Sequence, residues 1–276
     1  MNTLKRPIRS VLVNALGRRR AESIFRKYGD ARSALSYRID PAGRRSILEL
    51  ASVKDVHRGK RCFIIGNGPS LNGMDLSPLR NELTFGLNRI YLLFERLGFP
   101  TTFLVTVNEL VVAQCAGEIA SAPAQKFVSW HARRHLRSTS GITYLRSVSH
   151  PHFSVDPAAG VWEGATVTYV AMQLAYHMGF EDVILIGVDH SFSTGGPPNA
   201  VVTSTGGDPN HFDPDYFGKG FRWQLPDLET SEYAYGMARR RFEADARRIV
   251  NATVGGRLEI FPRVDFGSLF PASRPS

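Results

Sequence analysis

The chain has 276 residues, of which 43% are hydrophobic and 21% charged, and its formal net charge is +9. This length and composition suffice for one substantial hydrophobic core. No apolar run approaches the roughly 18 residues that a membrane span needs, and the N-terminus lacks the apolar core of a secretory signal, so we expect a cytoplasmic protein. Its two cysteines, Cys62 and Cys115, give neither a disulfide framework nor the pattern of a zinc site.

The positive charge is concentrated near the N-terminus. Residues 1–30 contain eight Lys and Arg residues against Glu22 and Asp30, interleaved with apolar residues. The spacing predicts a basic amphipathic helix, broken near Gly17. Such a helix could rest on an anionic membrane surface; the alternative is a solvated helix packed on the domain or in an oligomer contact. An aromatic and basic RNA-binding signature is missing, which disfavours nucleic acid.

A glycine turn follows an apolar run at residues 62–65 and contains Gly66 and Gly68. It predicts a buried parallel strand that turns sharply into a helix, where backbone N–H groups can approach an anion or a sugar. Leu71 stands where a dinucleotide fingerprint needs its third glycine, and the Gly-Lys-Ser/Thr of a P-loop is absent. Asn67 offers an uncharged donor and acceptor, suited to a base edge or a ribose hydroxyl.

Three asparagines follow predicted strands at the same position. Asn67 follows the strand at 61–65, Asn88 the strand at 83–87 and Asn108 the strand at 103–107. The carboxyl ends of parallel strands share one edge of a sheet, where ligands bind at the point at which strand order reverses. The three carboxamides therefore predict recognition of a nucleotide. The alternative is that each one caps a helix or fills a turn.

The rest of the chain continues the alternation of strands and helices. It predicts strands at 126–130, 142–148, 183–188 and 258–261 and helices at 166–178 and 231–250. This order predicts an α/β fold with one doubly wound, mostly parallel sheet that is Rossmann-like and GT-A-like. We expect a basic helical segment at 1–58, the α/β domain at 59–267 and an irregular tail at 268–276.

A lid is predicted at about 191–228. Residues 193–209 are rich in Gly, Pro, Thr, Ser and Asn, and the aromatic and basic segment 211–223 follows. A flexible segment before such a cluster suits a lid that closes over an anionic substrate. Asp189 comes just before the lid, after the strand at 183–188, and could orient a sugar hydroxyl or a catalytic group; the alternative is a helix cap or turn.

Four motifs resemble glycosyltransferase family 42, the bacterial sialyltransferases, and the wider 6-hydroxymethylpterin diphosphokinase-like group, which includes transferase domains of motility-associated flagellin glycosylation proteins. They are Ile64-Ile65-Gly66-Asn67-Gly68-Pro69-Ser70-Leu71, Leu87-Asn88-Arg89, Val107-Asn108-Glu109 and Gly187-Val188-Asp189. The resemblance covers roughly residues 60–265. It leaves the N-terminal segment outside.

The resemblance assigns roles to residues of this chain. It implies that the donor nucleotide contacts Gly66, Asn67, Gly68, Pro69, Ser70, Asn88, Asn108, Thr166 and Thr168. By the same resemblance His211 is the catalytic base, with Asp189 orienting it or binding sugar. The family uses two tyrosine hydroxyls on the leaving phosphate, and here one of those positions holds Ser191. Hydrogen bonding and charge from Tyr216, Lys219 and Arg222 could supply that stabilisation instead.

The resemblance implies a glycosyltransferase that moves a nonulosonic or related keto-sugar acid from a CMP-activated donor to a saccharide or lipid-linked saccharide acceptor. The resemblance also implies a role in bacterial surface polysaccharide synthesis at the inner face of the inner membrane. It implies that the reaction needs no metal or cofactor. An alternative is ATP-dependent diphosphate transfer to a hydroxymethylpterin, with Mg²⁺ held by Asp213 and Asp215. The same acidic pair fits the motif of metal-dependent sugar transferases. A third hypothesis is that the chain is a non-catalytic nucleotide-binding or scaffold protein.

Overall fold

The computed structural model describes residues 17–136 and 140–270. The predicted helix at 1–16, Arg137 and the last six residues of the predicted tail therefore lie outside the described residues. The helices are α1 (Arg18–Ile39), α2 (Pro41–Ser52), α3 (Phe94–Leu97), α4 (Glu109–Gln114), α5 (Ala116–Ser121), α6 (Val167–His177) and α7 (Leu228–Ala244). The strands are β1 (Arg61–Ile65), β2 (Thr84–Leu87), β3 (Phe103–Thr106), β4 (Gln125–Ser129), β5 (Ile142–Leu145), β6 (Asp182–Ile186), β7 (Val201–Thr203), β8 (Arg222–Gln224) and β9 (Arg248–Asn251).

Seven of the described strands form one parallel sheet in the order β5-β4-β3-β2-β1-β6-β9. The chain builds outward from β1 to β5 and then returns to place β6 on the other side of β1. Strand order therefore reverses between β1 and β6. This arrangement confirms the predicted doubly wound α/β fold, and it places the ligand crevice of such a sheet at the carboxyl ends of β1 and β6.

The core lies in two layers, one on each face of the sheet. Side chains of β1 alternate between them: Phe63 and Ile65 pack in one layer, Cys62 and Ile64 in the other. The second layer holds α6, in which residues 168–177 are all buried, as expected for a helix that is covered on every side. The first layer holds Phe212, Tyr216, Phe217 and Trp223 from the segment between β6 and α7.

The helix predicted after the glycine turn is absent from the described chain. Two short 3₁₀ helices, Pro69–Gly73 and Ser77–Asn81, connect β1 to β2 instead. Each begins with a proline in its first turn, and Gly73 ends the first. Proline is tolerated at the start of a helix but not in its interior, so Pro78 prevents one continuous helix from running through this connection.

The predicted C-terminal elements are wrong in their boundaries. The helix predicted at 231–250 ends at Ala244, and β9 begins at Arg248. Ala246 has a left-handed φ of 55°, which ends the helix and turns the chain into the sheet. The strand predicted at 258–261 does not form, although Leu258 and Phe261 are buried. Burial there comes from loop packing, which gives the same apolar pattern as a short strand.

The predicted lid segment contains an antiparallel hairpin that the sequence did not suggest. Val202 of β7 pairs with Trp223 of β8, and the Trp223 ring stacks on Phe217 with centroids 5.2 Å apart. Two backbone hydrogen bonds extend the pairing: the Asn199 amide donates to the Leu225 carbonyl, and the Leu225 amide donates to the Ala200 carbonyl. The segment thus packs on the first core layer through its aromatic side chains.

The helices α1 and α2 lie against the edge strand β5. The Tyr37 hydroxyl of α1 donates to the Tyr144 carbonyl at 2.6 Å, and the Tyr144 amide donates to Ser46 Oγ of α2 at 2.8 Å. These bonds use backbone groups that an edge strand would otherwise expose. None of the described helices is long and apolar enough to cross a membrane.

The β1–β6 junction yields a stability prediction. A Cβ at Gly66 would lie 2.2 Å from the carbonyl oxygen of Gly187, whereas a Cβ at Gly73 would have nothing within 4 Å. We expect Gly66→Ala to lower the free energy of unfolding by about 1 to 3 kcal/mol or more, because the backbone must move apart. Chemical denaturation measures this loss. Equal midpoints for Gly66→Ala and the control Gly73→Ala would contradict the close approach.

Candidate functional site

A cavity of about 810 Å³ lies at the carboxyl edge of the sheet, where strand order reverses. The ends of β1, β2, β3 and β6, the start of α6 and the hairpin line it. Ten of the residues predicted from sequence are among those that line it: Gly66, Asn67, Gly68, Asn88, Asn108, Thr166, Thr168, Asp189, His211 and Arg222. One cavity thus brings together side chains from positions far apart in the chain.

The three asparagines reach this cavity with different hydrogen bonds. Asn67 Oδ1 is buried and has no hydrogen-bond partner among the described residues. Asn88 Oδ1 accepts from Thr106 Oγ1 at 3.2 Å. Asn108 Oδ1 accepts from the amides of Leu110 and Val111 and caps α4. Helix capping is the alternative to nucleotide recognition that the sequence allowed. Of the three, Asn67 is the best candidate to bind a ligand, since a buried acceptor without a partner destabilises the protein and a ligand could supply the missing donor.

Asp189 sits against the glycine turn. A Cβ at Gly68 would lie 1.6 Å from Asp189 Oδ2, so only glycine permits this approach. Ser70 Oγ donates to Asp189 Oδ2 at 2.8 Å and the Ser70 amide donates to Oδ1 at 3.3 Å. Burial raises the pKa of Asp189, and the hydrogen bonds from Ser70 oppose that rise. Ser70 thus holds Asp189, while Pro69 begins a 3₁₀ helix outside the cavity lining.

His211 is held by a carboxylate that sequence reasoning missed. Its Nδ1 lies 2.7 Å from Asp208 Oδ2, and the Asp208 side chain is only 5% exposed. The imidazole stacks on Tyr216, with centroids 4.0 Å apart and planes 6° apart. An Nδ1–H bond to a carboxylate fixes the tautomer and leaves Nε2 as the basic nitrogen. The spacing Asp208-Pro209-Asn210-His211 was a signal that could have found this pair.

The residues predicted to meet the leaving phosphate are separated by the structure. Tyr216 is 1% exposed and lies outside the cavity lining, and its hydroxyl accepts from the Arg89 amide at 3.3 Å. Lys219 is exposed and also lies outside the lining. Tyr216 packs against the ring of His211, so neither Tyr216 nor Lys219 lies where the predicted contact with a leaving phosphate in this cavity would place it. Arg222 alone of the three lines the cavity.

The N-terminus of α6 opens into the cavity. Thr166 caps it, with Oγ1 accepting from the Thr168 amide at 3.3 Å, and Thr166 Oγ1 also lies 3.2 Å from the Tyr235 hydroxyl. Helix N-termini favour anions through unpaired amides and the helix dipole. Glu163 lies just before this terminus and lines the cavity, with Ser147 Oγ donating to its carboxylate.

Two further groups at the cavity were not predicted. His190 has a left-handed φ of 52° and its Nε2 lies 3.0 Å from Glu232 Oε1. On the other side, Arg134 and His135 both contact the carboxylate of Glu109. His190 follows Asp189 directly, and the strand that precedes them predicts its position at this edge of the sheet; the sequence assigned no role to it.

Diphosphate transfer, the alternative function, would need carboxylates that hold Mg²⁺. Within residues 17–136 and 140–270, no group of three or more His, Cys, Asp or Glu residues could hold a metal ion. Asp213 Oδ1 accepts from the Asp215 amide at 2.8 Å, and both residues lie outside the cavity lining. The acidic pair forms a turn, so its predicted role as a Mg²⁺ site at the cavity is not supported by its position.

Fold and cavity define a Rossmann-like α/β protein with a cavity at its topological switch point. A family model described as "6-hydroxymethylpterin diphosphokinase MptE-like" matches residues 44–195, more than half of the chain. The chain belongs to this MptE-like family, which confirms the wider group predicted from the glycine turn and the three asparagines. Among curated proteins, none matches the sequence significantly.

The fold is also similar to a solved structure, that of MAf glycosyltransferase from Magnetospirillum magneticum AMB-1. The TM-score is 0.50 and the sequence identity 17%, over 83% of this chain and 39% of that one. The chain thus spans well under half the length of that protein. At this identity the likeness shows a shared fold.

Glu163 yields a prediction about pH. Burial raises the pKa of Glu163, so ionisation of this carboxyl destabilises the folded state. The destabilisation is absent below the unfolded pKa of about 4.3 and grows as pH rises through the folded pKa. Glu163→Gln removes this cost. We expect the variant to be more stable than wild type at pH 7, by about 1.4 kcal/mol for each pH unit by which the pKa is raised.

Denaturant unfolding between pH 4 and pH 8 checks this expectation. The difference between Glu163→Gln and wild type should vanish at pH 4 and appear as pH rises. The matched control is Glu259→Gln, whose side chain is 76% exposed and whose effect should stay within about 0.5 kcal/mol at every pH. A variant that is less stable than wild type at pH 7 would contradict the assignment.

Proposed function

We propose that this protein is a glycosyltransferase that takes a nonulosonic or related keto-sugar acid from a CMP-activated donor and transfers it to a saccharide acceptor. The observation that carries the proposal is that His211, bonded to the buried Asp208, lines the same cavity as Asn67, the glycine turn and the N-terminus of α6. A base and a nucleotide-sized hydrogen-bonding surface thus share one site. The fold likeness to a glycosyltransferase supports the same class.

His211 is the proposed general base. The acceptor hydroxyl gives its proton to Nε2 while its oxygen forms a bond to the anomeric carbon of the donor sugar. The bond from that carbon to the phosphate oxygen breaks, and CMP leaves with the electron pair. Asp208 stabilises the imidazolium that forms and holds the ring in one orientation, which is the task of a carboxylate partner in such pairs.

The nucleotide is proposed to bind along the ends of β1 to β3. The unpaired Asn67 Oδ1 suits a donor such as a cytosine amino group or a ribose hydroxyl. The N-terminus of α6, which opens into the cavity, suits the phosphate. Arg222, which lines the cavity from the hairpin, would meet the negative charge that develops on departing CMP.

Asp189 is proposed to position the reacting groups. Ser70 fixes its carboxylate, and the charge of His211 acts on its pKa, so the two side chains are electrostatic neighbours. A carboxylate at this place can accept from a sugar hydroxyl. The proposed acceptor, a saccharide or lipid-linked saccharide of a bacterial surface polysaccharide, rests on the family resemblance.

The second candidate is ATP-dependent diphosphate transfer to a hydroxymethylpterin, favoured by the description of the family that the chain belongs to. That chemistry depends on Mg²⁺ bridging the phosphates. The acidic pair at Asp213 and Asp215 lies outside the cavity lining, which makes this candidate the weaker one. A non-catalytic nucleotide-binding or scaffold protein is the third candidate.

Nucleotide binding separates these candidates. We expect CMP at a hundred times its Kd to raise the melting temperature by roughly 5 °C or more, also in EDTA, because ligand bound to the folded state adds about 2.7 kcal/mol. Thermal shift with CMP, ATP and UDP, each with and without Mg²⁺, measures it. Stabilisation by ATP only with Mg²⁺ would favour diphosphate transfer, and no shift with any nucleotide would favour a protein that binds none.

Asn67 should carry a measurable share of nucleotide affinity. We expect Asn67→Ala to weaken CMP binding by about 1 to 3 kcal/mol, since it removes the buried acceptor and leaves its ligand partner unpaired. Calorimetric titration measures the change. The control is Asn81→Ala, an exposed asparagine in the 3₁₀ helix Ser77–Asn81, and equal affinities in the two variants would remove Asn67 from the site.

The base and its partner should affect turnover and leave nucleotide binding intact. A screen of CMP-activated sugars with mass-spectrometric detection of product identifies the donor. We expect His211→Ala to abolish transfer and Asp208→Asn to lower kcat by about 10² to 10⁴, because the wrong tautomer is then favoured. His150→Ala, an exposed loop histidine outside the cavity lining, is the control. Unchanged turnover in His211→Ala would remove that residue from the mechanism.

A further inference from the structure

The helix α1 carries an apolar stripe that the rest of the described chain leaves exposed. Ile24, Tyr28, Leu35 and Ile39 are 43%, 67%, 62% and 64% exposed. At about 100° of rotation per residue, these four positions fall within an arc of about 60°. A single exposed apolar side chain is ordinary, but an aligned row over most of a helix marks an interaction surface.

The opposite side of α1 holds it on the domain. Tyr37 is 1% exposed and donates to the Tyr144 carbonyl of β5, and Asp30 accepts from the Ser149 hydroxyl at 2.6 Å. On the helix these two residues lie roughly opposite the stripe. The stripe therefore faces away from the α/β domain, at the β5 edge of the sheet.

The charges of α1 are divided between these two sides. Arg20, Lys27 and Arg38 border the stripe on one side and Arg32 borders it on the other, and all four are exposed. The acidic residues of the helix, Glu22 and Asp30, lie at least about 100° from the edge of the stripe. An apolar row with basic residues along both borders is the pattern of a helix that lies in the surface of an anionic bilayer.

We infer that this face of α1 docks the protein on an anionic lipid surface, with Ile24, Tyr28, Leu35 and Ile39 among the acyl chains and the four basic side chains at the headgroups. Tyr28 suits the interface because it combines an apolar ring with a polar hydroxyl. A second copy of the chain fits this face less well. Pairing the stripe with itself would bring basic borders together without acidic partners.

Flotation with lipid vesicles tests the inference on the full chain. The probes are vesicles of phosphatidylcholine alone and of phosphatidylcholine with 30% phosphatidylglycerol, which differ only in charge. We expect wild type to float with the anionic vesicles at low salt, to bind them less at 0.5 M NaCl, and to stay unbound with neutral vesicles, because screening weakens attraction to the headgroups.

Three variants locate the surface. Leu35→Ser combined with Ile39→Ser should lower partitioning to anionic vesicles about tenfold or more, since two apolar side chains no longer enter the bilayer. Lys27→Glu combined with Arg38→Glu should lower it about tenfold as well. The matched control, Val254→Ser, removes an apolar side chain of similar exposure, 58%, beyond β9 at the opposite edge of the sheet, and should bind as wild type does.

Three results would overturn the inference. The first is anionic-vesicle binding by the Leu35→Ser/Ile39→Ser variant equal to that of wild type, which would assign binding to another part of the chain such as residues 1–16. The second is wild type that ignores anionic vesicles or binds neutral ones equally. The third is a dimer, measured by light scattering, that this variant converts to a monomer. Unchanged melting temperatures and CMP binding in all variants show that the fold and the proposed nucleotide site are intact.

Discussion

The site depends on the close approach of two chain segments past the ends of β1 and β6. The Gly66 amide donates to the Ile186 carbonyl at 2.8 Å and the Gly68 amide to the Gly187 carbonyl at 2.9 Å, so the ladder continues beyond the strands. Side chains at Gly66 and Gly68, which follow β1, would collide with Gly187 and Asp189. Because the glycines let the segments meet, Asp189 reaches Ser70, and the cavity opens at the place where strand order reverses.

The fold and part of the site were predictable because both follow from local periodicity. Parallel strands separated by whole crossovers bring their carboxyl ends to one edge, which is why Asn67, Asn88 and Asn108 line one cavity. The role of each side chain was not predictable. Asn108 caps α4 because the chain turns into a helix there, and Asn67 stays unpaired because its neighbours leave its oxygen without a donor. Such differences depend on backbone angles that residue type alone does not determine.

The hairpin and the position of Tyr216 were not predicted because both depend on contacts between residues distant in sequence. The hairpin is stabilised because Trp223 packs against Phe217 and the first core layer. The Gly- and Pro-rich sequence of this segment does not predict that packing. Tyr216 was expected to face a phosphate, yet it is buried under the ring of His211. Asp208 differs from these, since it lies three residues before His211; the local spacing contained the information.

The two faces of the sheet contribute different groups to the proposed chemistry. The hairpin side supplies His211 and Asp208, and the α6 side supplies a helix N-terminus. A proton taken up by His211 would create a cation in contact with the buried carboxylate of Asp208. The charge of His211 acts to lower the pKa of Asp189, against the effect of burial. His211 is therefore linked to both carboxylates: Asp208 holds the ring through Nδ1, and the charge of the ring acts on Asp189, which Ser70 fixes against the glycine turn.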